Sequence, residues 1–440
     1  MRKIVTAGVA LALVAGLGGC GIFKGGKKKT PVLGDRVPIL MSENSVTVDR
    51  ALAGLDVVLP PAAANDAWGQ PGGNAAKSMG HLALAEAPAQ AWRASIPGGT
   101  QRVRLAAPPT VDGGKLFVVD TDGVVHAFDA TNGGKLWSVS TVKGDDNKRV
   151  RFGGGASAEG GRVFATNGIG EVVALDAANG SEVWRAKPGG PLRGAPTLAN
   201  GQVYALSQDN QLFALDQANG TVLWTQSGSL ESQGVFGVAA PAAAQGTIVA
   251  GFSSGELNAY RYENGRTLWG DSLSRTSIST SVSSLSDIDA EPVIEGGRAY
   301  AVGQGGRMVA LELVSGQRLW EQNLAGISTP WVAGEWIFVA TDDGRLVCLA
   351  RASGRIRWIS QLQRYRNVKK EKGPISWVGP VLAGGRLWLL NSRGLIASAS
   401  PTDGSVGYSI ETKGQYTLAP VVANSMLYTL SDEGVLTAYR

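Results

Sequence analysis

From about residue 90 to the end of the chain, short apolar runs alternate with turns, and one pattern returns at a spacing of about 40–50 residues. Each copy reads turn glycine, two or three apolar positions, alanine, an acidic turn, glycine, tryptophan. Gly123-Val-Val-His-Ala127 leads to Asp129, Gly133 and Trp137; Gly170-Glu-Val-Val-Ala174 leads to Asp176, Gly180 and Trp184; Asn210-Gln-Leu-Phe-Ala214 leads to Asp216, Gly220 and Trp224. Five further copies open at Gly255, Gly306, Gly344, Gly394 and Gly434. Ala259, Ala310, Cys348, Ser398 and Ala438 hold their alanine position, and Trp269, Trp320, Trp358 and Tyr408 the tryptophan position. The runs ahead of the opening turns, such as Lys115–Val119 and Arg162–Ala165, are rich in β-formers.

The polar positions have mechanical roles. Asp122-Gly123, Asp209-Asn210 and Asp343-Gly344 sit between apolar runs and suit tight hairpin turns that need positive φ. In Asp129-Ala-Thr-Asn-Gly133 the Asp side chain can accept backbone N–H groups while the Gly takes a left-handed conformation. Each copy therefore yields about four strands, and one such sheet cannot bury both of its faces, so neighbours stack. A ring of eight covers every face. The predicted fold is all-β, an eight-bladed β-propeller of four-stranded antiparallel blades. The last copy stops at Arg440 before its tryptophan, while Trp92 precedes the first copy, so an N-terminal strand is predicted to complete the last blade and close the ring.

The start of the chain has a different character. Arg2 and Lys3 precede an apolar run from Ile4 to Leu17, a secretion signal too short to span a bilayer comfortably. Leu17-Gly-Gly-Cys20 resembles the bacterial lipobox, which implies a signal peptide over 1–19 and a lipid on Cys20. Gly21, where known bacterial lipoproteins retained at the inner membrane carry Asp, implies an outer-membrane location facing the periplasm. Residues 20–50 read as a flexible tether with Lys24, Lys27, Lys28 and Lys29 among glycines, 51–90 as an irregular segment, and 91–440 as the propeller.

The formal net charge of +5 comes largely from the N-terminal stretch, and no nucleic-acid-binding pattern accompanies it. Once Cys20 is assigned to lipid, Cys348 is alone; no disulfide can form within the mature chain, and its alanine slot predicts a buried small apolar residue. His81 and His126 lie far apart and form no metal-ligand cluster with one cysteine. No nucleophile elbow and no haem-attachment motif occurs. Gly153-Gly-Gly155 lacks the Lys-Ser/Thr of a phosphate loop and reads as a flexible connection. Neither catalysis nor a cofactor is expected. The connection with Arg364, Arg366, Lys369, Lys370 and Lys372 is either a solvated loop or a contact for an acidic partner or lipid.

Two family resemblances bear on function. The A-x-D-x-x-x-G-x-x-x-W repeat resembles the tryptophan-docking motif of pyrroloquinoline quinone dehydrogenases, and Trp68–Asn74 resembles the opening segment of such propellers. The repeat resemblance covers roughly residues 90–440 and carries the fold. The vicinal disulfide of those enzymes cannot form here and their calcium ligands find no counterpart, so a quinone-dependent dehydrogenase is an alternative, as is a propeller binding glycan or polypeptide. The lipobox, the eight short repeats and the length are more similar to the BamB family, lipoprotein propellers of the outer-membrane β-barrel assembly (BAM) machinery. Pro191-Leu-Arg-Gly194 resembles that family's Leu-x-Leu-Arg-Gly loop, and Ser284-Leu-Ser-Asp-Ile-Asp289 its Leu-Ser-Asp-x-Asp loop. The resemblance implies a non-catalytic scaffold that binds BamA through Leu192, Arg193, Asp287 and Asp289, with Leu192 expected as an exposed anchor beside Arg193. Gly190 stands where the family loop has its first Leu. Both loops join the outer strand of one unit to the first strand of the next, which predicts one shared face, two blades apart.

Overall fold

A computed structural model of the 440-residue chain describes residues 46–100, 103–144, 153–192, 194–230, 239–274 and 287–440. Residues 1–19, read from sequence as a signal peptide, and Cys20 lie outside the described residues. Val46–Arg440 is one compact unit. Within it, eight four-stranded antiparallel sheets follow one another along the chain. Blade 1 comprises Thr110–Asp112, Lys115–Val119, Val124–Asp129 and Lys135–Ser140, from the innermost strand to the outermost. Blades 2 to 7 repeat this order. Their innermost strands are Ala156–Glu159, Thr197–Ala199, Ala242–Ala244, Val293–Glu295, Trp331–Ala333 and Trp377–Ala383. Their outermost strands are Glu182–Ala186, Val222–Ser227, Thr267–Ser272, Arg318–Gln322, Ile356–Gln361 and Val406–Glu411. Blade 8 takes Val421–Ala423, Met426–Leu430 and Val435–Tyr439 from the C-terminus and Gln90–Ser95 from the N-terminal side. Trp92 pairs with Ala438, so the spare strand closes the ring as predicted.

The repeat is a packing device. In blade 1, Phe117, Ala127 and Trp137 are register partners across three strands, and the small Ala lets the two rings meet at 5.9 Å. Phe164/Trp184, Tyr204/Trp224, Tyr300/Trp320 and Phe338/Trp358 repeat the contact. Cys348 lies between Phe338 and Trp358 in such a row. It is fully buried, and burial pushes its thiol pKa far up. Each Trp also reaches the next blade. The Trp184 Nε1 donates to the Gln217 carbonyl at 3.1 Å, and its ring lies so close to Gly220 (φ 77°) that a Cβ there would come within 2.5 Å of it. Gly133, Gly180, Gly265, Gly316, Gly354 and Gly404 seat the Trp of their preceding blade in the same way. The turn glycine thus serves two needs, positive φ and room for the ring. Tyr408 marks the seam. In the next blade the two outer strands come from distant parts of the chain, so no turn with a seat glycine joins them; Ala89 and Arg440 exchange backbone hydrogen bonds there, and the Tyr408 hydroxyl donates to the Pro88 carbonyl at 3.3 Å.

Residues 65–82, read from sequence as irregular, run once around the inner wall. Innermost strands leave one edge of N–H and C=O groups without a ladder partner, and this segment supplies partners blade by blade. Asn65 Nδ2 donates to Val422 O in blade 8. Trp68 exchanges two backbone bonds with Val111 in blade 1. Ala158 N in blade 2 donates to Gly69 O at 2.7 Å. The Gln70 amide brackets Leu198 in blade 3 from both sides. Ala243 N in blade 4 and Ile294 N in blade 5 donate to the Ala75 and Ala76 carbonyls. Trp331 Nε1 in blade 6 donates to Gly80 O, and Leu82 bonds with Leu382 and Gly384 in blade 7. Small residues allow the approach; a Cβ on Gly69 would lie 2.6 Å from the Ala158 carbonyl oxygen. We call this segment the belt.

Two sequence expectations change. Residues 46–50, assigned to the tether, lie on blade 6. Val48 bridges Ile356, and Asp49 pairs with Arg355 at 3.2 Å. Gly153-Gly-Gly155 is buried, and a Cβ on Gly155 would collide with the Ala107 and Ala195 methyl groups. These glycines serve close packing between blades, not a loose connection.

Candidate interface on the loop face

The two family-like loops occupy equivalent positions. The first leads from blade 2 to blade 3. Leu192 N donates to Asn167 O, and Gln208 N donates to Pro191 O. The second leads from blade 4 to blade 5. Ile288 N donates to Phe252 O, and Gln304 N donates to Asp287 O. Each loop is therefore wedged between the second-to-third-strand turns of the two blades it joins, and Leu192 and Ile288 occupy the same place. Both loops lie on the face that carries those turns, two blades apart.

The side chains differ from the expectation. Leu192 is 0% exposed and packs with Phe164, Leu198 and Phe213. It is not an exposed anchor, because its position points into the crevice between two blades, where only an apolar side chain fills the gap without an unmet polar group. Asp287 and Asp289 are 1% and 4% exposed. Asp289 Oδ2 accepts from Gln304 Nε2 at 3.0 Å, tying the loop to the next blade's turn. Both carboxylates are thus buried within the chain rather than exposed on the loop. Arg193, which follows the wedge as Asp289 follows Ile288, lies outside the described residues, as do Ser284, Leu285 and Ser286. The backbone at Gly189 and Gly190 packs on Gly170, and a Cβ on Gly190 would meet only Asp209 at ordinary contact distance. A Leu at 190 thus has room, and Pro191 beside it is exposed. A Leu192→Ala substitution is expected to cost about 2–5 kcal/mol of stability, read as a lower denaturation midpoint.

Asp289 also borders a central cavity of about 260 Å³. Belt and ring build it together. Trp68 stacks on Trp331 with centroids 6.0 Å apart, and Lys77 from the belt faces Glu291 from blade 5 across Gly72. Lys77 Nζ donates to Pro71 O and Thr197 Oγ1. Burial lowers the Lys77 pKa to about 8 against the pull of Glu291, and burial raises that of Glu291. Sequence reading misses this pair because its members are far apart in the chain and neither belongs to the repeat.

With this geometry in place, comparison with known proteins identifies the family. The family profile described as "Outer membrane protein assembly factor BamB" matches residues 80–151 and 121–360. The chain belongs to the BamB family. The BamB of Escherichia coli K12 is 29% identical over 354 residues, 79% of this chain and 88% of that protein. The Yersinia pestis BamB is 28% identical over 205 residues, so the chain spans half of that relative's length. The BamB crystal structure from Moraxella catarrhalis superposes with a TM-score of 0.65 at 19% identity, covering 80% of this chain and 99% of that one. A quinohemoprotein alcohol dehydrogenase from Comamonas testosteroni superposes with a TM-score of 0.66 at 14% identity, covering 86% and 81%; at that identity the likeness concerns the fold alone. The family-profile match begins at residue 80, so most of the belt precedes that match.

Proposed function

We propose that this BamB-family chain is a non-catalytic scaffold of the BAM machinery, anchored in the outer membrane by a lipid on Cys20, facing the periplasm and docking on BamA. The observation that carries the docking site is the shared construction of the two loops, each held by an apolar wedge, Leu192 or Ile288, against turns of two adjacent blades. A rigid scaffold that fixes two loops on one face is a common basis for recognition. In this reading the buried Leu192, Asp287 and Asp289 are positioning residues that set loop shape, and Arg193 with Pro191 makes contact. Such preorganisation lowers the ordering cost of association.

The expected outcome is specific. Arg193→Ala in the otherwise native chain is expected to reduce co-purification of BamA from cell membranes by at least tenfold, with an unchanged melting temperature. Undiminished recovery would remove this loop from the interface. Cys20→Ser is expected to shift the chain from the membrane to the soluble fraction; a variant that stays with the outer membrane would refute the anchor.

A further inference from the structure

The basic connection between blades 6 and 7 is a shaped hairpin. Tyr365–Asn367 pairs with Lys372–Pro374, and a 3-10 turn over Val368–Lys370 forms its tip. Its conformation is fixed at several points. Asn367 Oδ1 accepts from Lys370 N at 3.0 Å, Ile375 N donates to Arg364 O at 2.8 Å, and Trp377 Nε1 donates to Gln363 O at 2.9 Å. Leu362 and Ile375 are buried at its base.

This hairpin concentrates charge on a neutral body. Residues 1–45 hold seven of the chain's 41 Lys and Arg and two of its 36 Asp and Glu, which leaves 34 of each sign in residues 46–440. Residues 363–374 carry five cations against one carboxylate, Glu371. Arg366, Lys369, Lys370 and Lys372 are exposed and in no ion pair among the described residues. Arg364 lies over the Tyr365 ring at 5.4 Å, with Asp343 near enough to feel its charge. Val368, at the tip, is 68% exposed. At the base, Arg366 and Arg393 line one groove together with Glu411. A cationic rim around an exposed apolar tip is the chemistry that suits a charged, amphiphilic surface more than a protein groove. The first described residues lie beside the hairpin's origin, since Val48 bridges Ile356 in the outer strand of blade 6, the strand from which the hairpin emerges.

We propose that the Arg364–Pro374 hairpin docks on an anionic phospholipid surface, its lysines at the headgroup phosphates and Val368 at the apolar boundary, and so fixes how the ring faces the membrane. This rests on the outer-membrane association proposed above, while the BamA contact belongs to other loops. The chain from Gly21 onward sediments with vesicles of phosphatidylethanolamine and phosphatidylglycerol, and less as salt rises. Lys369→Glu/Lys370→Glu/Lys372→Glu binds them about a hundredfold more weakly, with an unchanged melting temperature and unchanged BamA affinity. Both proteins carry the Lys24–Lys29 stretch, so the difference reads the hairpin alone. Val368→Ser reduces the binding that persists at high salt. Equal vesicle binding by the triple variant and the parent overturns the assignment. So does a triple variant that keeps its vesicle binding and loses BamA, which would give the hairpin to a protein partner.

Discussion

A chain that begins at Pro88, lacking the belt but keeping the closing strand, is expected to melt at least about 10 °C below one that begins at Val46. The belt bonds to the innermost strand of every blade, and each bond contributes on the order of 1 kcal/mol. Burial of Trp68 and Leu82 adds to this. Summed, the loss is comparable to the total stability of an ordinary domain, about 5–15 kcal/mol. At about 2–4 °C per kcal/mol for a chain of this order of size, half of that loss already gives the stated shift. The same truncation removes Lys77, the belt cation that faces Glu291. The check is thermal unfolding of both chains, with a peptide of residues 60–86 added in trans. The peptide is expected to recover part of the loss. Equal melting temperatures would mean that the ring closes its own inner edges.

The second large effect is at the ring closure. Trp92→Ala is expected to destabilise by about 3–5 kcal/mol. It removes a buried ring that donates to Ala130 O at 3.1 Å, packs on Tyr428 at 5.9 Å and sits on Gly133. Gly133→Val is expected to be at least as damaging, since its Cβ would lie 2.5 Å from the Trp92 ring at a φ of 74°. The two changes break one contact, so their effects are expected to fall well short of additive in a double-mutant cycle. Additive losses in equilibrium denaturation would mean that the Gly serves its turn only and does not seat the ring.

The propeller is legible in the sequence because every blade must solve the same problem. The alanine row, the acidic turn, the glycine and the tryptophan recur since each is needed once per blade, and the spare Trp92 takes the tryptophan place of the last blade by pairing with Ala438. The belt is invisible to the same reading. It meets successive blades through different groups, its backbone in most and the Asn65 and Gln70 side chains in two, so it has no period, and its Gly- and Ala-rich sequence resembles a linker. The loops fall between. Their family resemblance fixes their place on one face, yet residue type alone does not tell an exposed Leu192 from a wedge. A signal was present in the pair Leu192-Arg193 and Ile288-Asp289, apolar before charged at the same step of two connections. Buried Asp287 and Asp289 look like surface acids in sequence because acids usually are; their burial comes with a loop held against the Gln304 turn, which residue type alone does not show.

We propose that a rigid face of this BamB-family ring docks on BamA. The most direct test is a titration of the chain from Gly21 onward against the periplasmic domains of BamA from the same organism, with the parent and with Arg193→Ala. Saturable binding by the parent, weakened at least tenfold in the variant while both melt at the same temperature, is the predicted result. Absence of saturable binding by the folded parent at high micromolar concentration, or equal affinity of parent and variant, would contradict the claim.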